Sequence, residues 1–258
     1  MEIGVQFYTL RDHCKNLDDF AESLKKVADI GYKNVQISCV CDYEPEWLAE
    51  QLKQNGLKCV LTHTPVPQLT GGDLKTVCKN HEIFGCDYIG LGCFDFSDTA
   101  EGRTYDDFVK IYKPVAKEIK ENGKRFMYHN HAKEFLRFGA DTRIIERIMK
   151  DFDKDELGFV LDVFWVQAAG GDPAAWMEKL SGRIPIIHLK DYYFDPQAKN
   201  PSDHIAVVGE GNINFDRIFE KAETCGVKYM LVEQDECHGE DPFDCVKRSY
   251  NYLKSCGF

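Results

Sequence analysis

The chain has no apolar run approaching the ~18–20 residues of a membrane-spanning helix, which excludes such a span. Its first residues, Met1-Glu2-Ile3-Gly4-Val5-Gln6, lack the basic stretch and apolar segment of a secretory leader, so a cytoplasmic location is expected. Basic charge is short: 32 Lys and Arg face 43 Asp and Glu, a net charge of −11. That argues against a nucleic-acid binder, which needs a basic face. Eleven cysteines are present, but no C-x-x-C spacing. Cys39 and Cys41 form a C-x-C and the others are scattered, so neither a structural zinc nor an iron–sulfur cluster is indicated. Free, mostly buried thiols are expected instead. No low-complexity linker divides the chain, and residues 1–258 are read as one domain.

What is present is a repeated local grammar. Five times an amphipathic stretch ends in Gly and leads into a short apolar run: at Gly31, Gly56, Gly85, Gly123 and Gly226. Glycine just past a helix allows the left-handed cap, so each is an α-to-β turn. The Asp18–Ile30 stretch carries Phe20, Ala21, Leu24, Val27 and Ala28 on one helical face. Pro45 marks a helix start before Trp47, Leu48 and Leu52. Asp216–Cys225 buries Ile218, Phe219 and Ala222, and Asp141 or Thr142 is a candidate cap for Ile144, Ile145, Ile148 and Met149.

Eight apolar runs read as buried strands: Ile3–Tyr8, Asn34–Ser38, Lys58–Thr62, Tyr88–Leu91, Arg125–His129, Leu157–Leu161, Ile184–His188 and Lys228–Val232. Helical patterns separate them, which gives a parallel sheet. Eight such units in about 250 residues fit an α/β fold of the closed (β/α)8 TIM-barrel kind. An open doubly wound sheet would want a glycine-rich turn after the first strand, and Phe7-Tyr8-Thr9-Leu10-Arg11 is not one. The longest irregular stretch, about Tyr192–Asn212, follows strand seven and is expected to be functional.

In such a barrel the chemistry sits at the C-terminal strand ends. Those ends carry Gln6, Gln36, His63, His129 with His131, Asp162, His188 and Glu233. A lone His or Asp there is ordinarily structural. Several converging on one mouth are harder to explain that way, because buried carboxylates repel and lose hydration. A divalent cation between them removes both costs. Mixed oxygen and nitrogen ligands suit Mn²⁺, Co²⁺, Zn²⁺ or Mg²⁺, and the ligand types do not choose among them; Mn²⁺ is the expected ion.

Six phrases carry a family resemblance: Tyr128-His129-Asn130-His131-Ala132-Lys133-Glu134-Phe135, Leu161-Asp162-Val163-Phe164-Trp165, Gly170-Gly171-Asp172-Pro173, His188-Leu189-Lys190-Asp191, Val208-Gly209-Glu210-Gly211-Asn212-Ile213-Asn214-Phe215 and Val232-Glu233-Gln234-Asp235. In this order the chain resembles the xylose isomerase-like TIM-barrel superfamily, the sugar phosphate isomerase/epimerase group that includes inosose dehydratases, ketose epimerases and endonuclease IV. The resemblance implies a metal held from strands five to eight, with Asp162, His188 and Glu233 matching the ligands of strands six, seven and eight. At strand five the family's ketose epimerases have Glu where this chain has His129. Either His129 is the ligand or Glu134 reaches back from the loop. Glu134 is preferred, because a third anionic oxygen better neutralises a divalent ion. His129 and His131 then lie near the substrate, unless one of them only orients the other. Gln6, His63, Trp165 and Glu210 are assigned to substrate binding.

The resemblance also marks departures. Trp165 stands near the place of a substrate-contacting His of ketose epimerases, and no Arg occurs from Tyr192 to Asn214 where they carry one. A simple free-ketose epimerase is therefore disfavoured. Aromatic residues Phe164, Trp165, Tyr192, Tyr193 and Phe194 are expected at the mouth. The expected chemistry is proton abstraction α to a carbonyl of a sugar, keto-sugar or inosose, with Glu233 or His131 as base and Lys190 as oxyanion donor or partner of a rim acid such as Asp191. Return of the proton gives isomerisation or epimerisation. Loss of a β-substituent gives dehydration or lyase chemistry on a keto-sugar or 3-keto-glycoside, including C-glycoside cleavage. An endonuclease acting on abasic DNA and a non-catalytic sugar-binding subunit are the competing classes. A homo-oligomer or a complex with a partner subunit fits the resemblance.

Overall fold

The computed structural model describes residues 1–96, 104–138 and 142–258. Eight parallel strands close into a barrel: β1 (Glu2–Gln6), β2 (Asn34–Ile37), β3 (Lys58–His63), β4 (Tyr88–Leu91), β5 (Arg125–His129), β6 (Leu157–Asp162), β7 (Ile186–Leu189) and β8 (Tyr229–Val232). Each strand pairs with its sequence neighbours and β8 closes on β1. Around them lie α1 (Leu17–Ile30), α2 (Pro45–Asn55), α3 (Leu74–Ile83), α4 (Tyr105–Glu121), α5 (Ile144–Asp151), α6 (Val163–Ala168), α7 (Pro173–Lys179), α8 (Phe215–Thr224) and α9 (Pro242–Ser255). The helices follow their patterns. The α1 stripe of Phe20, Leu24 and Val27 is buried, and Asn16 caps it by accepting from the Asp19 N–H. All five turn glycines have positive φ. At Gly56, φ 61°, the left-handed residue donates to the Leu52 and Lys53 carbonyls and ends α2.

Most element ends fall within one residue of the sequence reading, and three departures are larger or differ in kind. Phe7 and Tyr8 leave β1 for a 3₁₀ turn, because the Gln6 side chain accepts from the Tyr8 N–H. Strand β7 starts at Ile186 rather than Ile184. Arg143 holds the position before helix α5 and the expected Thr142 lies in a short strand; Asp141, the other expected cap, falls outside the described residues.

Strand alternation decides what enters the barrel. Leu61, Met127, Val160, Ile186 and Leu231 pack together as its apolar floor. Two residues further along these same strands stand His63, His129, Asp162, His188 and Glu233. In β3 this phase depends on one extra residue. Val35 pairs with Cys59 but Gln36 with Leu61, and this bulge turns His63 inward.

The long loop after β7 is partly ordered by a short antiparallel pair, Asp191–Tyr192 with Ile205–Ala206. The Asp191 carboxylate ties it down, accepting from the backbone N–H groups of Tyr192, Gly209, Gly211 and Ile213. Gly211 is required there, since a Cβ would lie 2.4 Å from Asp191 Oδ1.

Candidate metal centre

The barrel mouth gathers His129, Asp162, His188 and Glu233, all buried, with one ligand atom of each lying within 4.8 Å of every other. What organises them is the opposite end of each side chain. His129 Nδ1 is 2.9 Å from the Gly92 carbonyl, so the ring donates there and turns Nε2 toward Asp162. His188 Nε2 is 2.7 Å from Gln36 Oε1, which leaves Nδ1 bare. Asp162 caps α6, its Oδ1 accepting from the Trp165 N–H at 3.1 Å, while Oδ2 faces His129 Nε2 at 3.4 Å. Glu233 Oε1 accepts from Gln6 Nε2 at 3.1 Å, and Oε2 lies 2.9 Å from His188 Nδ1. Among the described residues neither of these last two atoms makes a well-directed hydrogen bond. Four side chains thus each spend one polar atom on a neighbour and turn the other toward a shared point.

This donor set fits a divalent ion: two neutral imidazoles and two carboxylates bring two negative charges. The backbone supports it. Asn130 Oδ1 accepts from the Asp162 N–H at 3.0 Å, fixing the β5 end against the β6 end.

Lys190 is the third charged group. Its Nζ is fully buried, 3.1 Å from Asp162 Oδ2, 3.0 Å from Glu233 Oε2, and 2.9 and 3.0 Å from the two oxygens of Asp235. Its rim acid is therefore Asp235, not Asp191. Burial disfavours the ammonium, but the Asp162, Glu233 and Asp235 carboxylates outweigh it and hold the pKa well above the usual lysine value. For Glu233 burial likewise opposes the charge, and Lys190 and His188 overcome it, so the carboxyl is held well below its usual range.

A cavity of about 710 Å³ opens over this group. His63 and His131 stand in its wall. Burial, reinforced by His129 and His188, pushes His63 well below the usual imidazole value. Its Nδ1 is shared by Ser38 Oγ (3.2 Å) and Gln6 Nε2 (3.5 Å), and Nε2 is buried without a partner among the described residues. His131 is lowered to about 3, first by burial and then by His129 and Lys190. Its ring lies 4.7 Å from that of His129 and 5.3 Å from that of Trp165.

Two sequence assignments change. Glu134 is not in the ligand group. Tyr128 faces outward between two inward positions, and Glu134 folds behind the strand to accept from the Tyr128 hydroxyl at 2.5 Å and the His131 N–H at 2.8 Å. Both of its oxygens are engaged, and His129 is the β5 side chain that lies within reach of Asp162, His188 and Glu233. Glu210 points away from the cavity into an exposed ion pair with Arg248. The aromatic rim is also thinner than expected: Phe164 is wholly buried, whereas Phe194 is 70% exposed. Asp235, Gly92 and Ser38 were not assigned roles from sequence. Only Asp235 carried a signal, standing two residues after Glu233.

Comparison with known proteins agrees with this architecture. An inosose dehydratase from Geobacillus thermodenitrificans is 25% identical over 152 residues, covering 53% of this chain and 50% of that one, so the match spans about half of the relative. A 2-oxo-tetronate isomerase from Haemophilus influenzae is 22% identical over 80% of this chain and 84% of its own. The crystal structure of a sugar phosphate isomerase/epimerase from Parabacteroides distasonis superposes with a TM-score of 0.80 at 24% identity, covering 99% of this chain and 94% of the other. The family model described as xylose isomerase-like TIM barrel matches residues 24–256, and the chain belongs to that family.

Proposed function

We propose that this protein is a divalent-metal-dependent enzyme that removes a proton α to the carbonyl of a sugar, keto-sugar or inosose and returns it, as an isomerase or epimerase does. The observation that carries the reading is the set of four side chains, each anchored at one polar atom and aiming the other at a common point. His129, Asp162, His188 and Glu233 would hold a divalent ion, which would supply positive charge against the negative charge developing on the substrate oxygens. The chain's own groups do the rest. His131 and Glu233 both line the cavity and are the two candidate proton acceptors. Lys190, braced by Asp235, donates to the developing oxyanion. His63 presents Nε2 to a substrate hydroxyl, and Gln6 holds Glu233 in place. Trp165, assigned to substrate binding from sequence, packs against the His131 ring and is not among the residues lining the cavity.

A second reading, elimination from a keto-sugar or 3-keto-glycoside, is favoured by the cavity's shape. Beyond the polar group it continues along an apolar wall of Val40, Tyr43, Val66 and Phe84, and about 710 Å³ is in the range that takes a drug-sized ligand rather than one sugar ring. That arm suits the substituent a lyase would release.

The test is incubation of the protein, loaded in turn with Mn²⁺, Co²⁺, Zn²⁺ or Mg²⁺, with ketoses, inososes and 3-keto-glycosides in D₂O. Deuterium entering at the carbon beside the carbonyl, and lost in Asp162→Ala, supports the first reading. Release of the substituent supports the second. No exchange and no release across the panel refutes both.

A further inference from the structure

We propose that Lys190 is a resident cation of this centre, shared between the ligand carboxylates and Asp235, and that it sets how tightly the centre takes a metal ion. The inference rests on the metal-site reading above and goes beyond it.

Lys190 Nζ contacts Asp162 Oδ2 and Glu233 Oε2, the same two oxygens that face the imidazole nitrogens of His129 and His188. Buried carboxylates without a counter-charge are strongly destabilising, and Lys190 supplies that charge when no ion is bound. An ion bonded to these oxygens at about 2.0–2.2 Å competes for the same lone pairs and repels an ammonium held beside them. Asp235 gives the ammonium somewhere to go. It already binds Nζ through both oxygens, and it lies outside the ligand group. The Trp165 ring, centred 5.5 Å from Nζ, adds a face tolerant of a cation. The charges close on this arrangement: three carboxylates and one ammonium leave two negative charges, the complement of one divalent ion. Lys190 withdraws to Asp235 as the ion enters, so the empty centre stays folded at the expense of metal affinity.

The experiment titrates metal-stripped full-length protein with Zn²⁺ and with Mn²⁺ by chelator competition, and measures the melting temperature without metal. Lys190→Met is expected to bind metal roughly tenfold or more tighter than wild type while melting lower when empty. Asp235→Asn is expected to weaken binding, and most of that loss disappears in the double variant, because Asp235 acts through Lys190. Unchanged or weaker binding in Lys190→Met overturns the inference and leaves the metal site standing, as does an Asp235→Asn effect of equal size in both backgrounds. Binding by Lys190→Met but not by wild type supports the inference and overturns metal dependence of the natural chain. No binding by any variant overturns both. If Lys190→Met fails to fold, a zinc-soaked crystal of the wild type decides: Nζ is expected to keep Asp235 and to have left Asp162 and Glu233. Zinc bound with all three contacts intact overturns the inference.

Discussion

The tautomer of His188 is set from outside the ligand group, and Gln36 tests that directly. Gln36 Oε1 lies 2.7 Å from His188 Nε2, so the ring proton sits on Nε2 and Nδ1 is free. Replacement by Met keeps the size and removes the acceptor. The proton then gains nothing by staying on Nε2, and Nδ1–H, aimed at Glu233 Oε2 only 2.9 Å away, becomes the better-paired form. Binding an ion must now first move that proton. Loss of an outer partner of this kind costs about 10–100-fold in metal affinity, or about 1.4–2.7 kcal/mol. Folding is expected to suffer less, because the Gln36 amide nitrogen is already buried without a partner among the described residues, and Met removes that unmet donor too. The assay is chelator competition with Zn²⁺ on the wild type, Gln36→Met and Gln36→Glu, whose carboxylate restores the acceptor. Affinity in Gln36→Met within twofold of wild type, with His188→Ala still abolishing binding, would refute the reasoning.

Other outcomes follow from the same geometry. Glu134→Gln is expected to retain metal stoichiometry and to lose about 1–3 kcal/mol of stability through its buried Tyr128 and His131 partners, as read by denaturant unfolding. Glu210→Ala breaks only an exposed pair with Arg248, so turnover and metal affinity should stay at wild-type values. Burial lowers His81 to about 4, below its usual 6.5. The unfolded chain therefore binds the extra proton first, and stability present above pH 6.5 is lost as pH falls toward 4, by up to about 3 kcal/mol. His81→Gln should flatten that part of the stability-versus-pH curve measured by urea unfolding.

The barrel was legible because its strands are buried on both faces and read as continuous apolar runs bounded by turn glycines. Asp162, His188 and Glu233 were legible for a related reason: a charged or imidazole residue directly after such a run has nowhere to go but the mouth. The sequence reading preferred Glu134 at strand five, whereas in the structure it is His129 that lies among Asp162, His188 and Glu233. Counting charge favoured a third carboxylate, whereas strand alternation placed Tyr128 outward and so gave Glu134 a hydroxyl to bind behind the wall. That loop path is not written in residue spacing. The bulge that turns His63 inward is equally silent in sequence, since it depends on the register between β2 and β3. Glu210 sat in a family-like phrase, but its partner Arg248 lies 38 residues away on α9.

The central claim is that four residues from β5, β6, β7 and the end of β8 share one divalent ion. Anomalous diffraction from a zinc-soaked crystal tests it most directly. The account predicts a single strong peak about 2.0–2.2 Å from His129 Nε2, Asp162 Oδ2, His188 Nδ1 and Glu233 Oε2. A peak bonded to Glu134 in place of His129, or no peak among these four side chains, contradicts it.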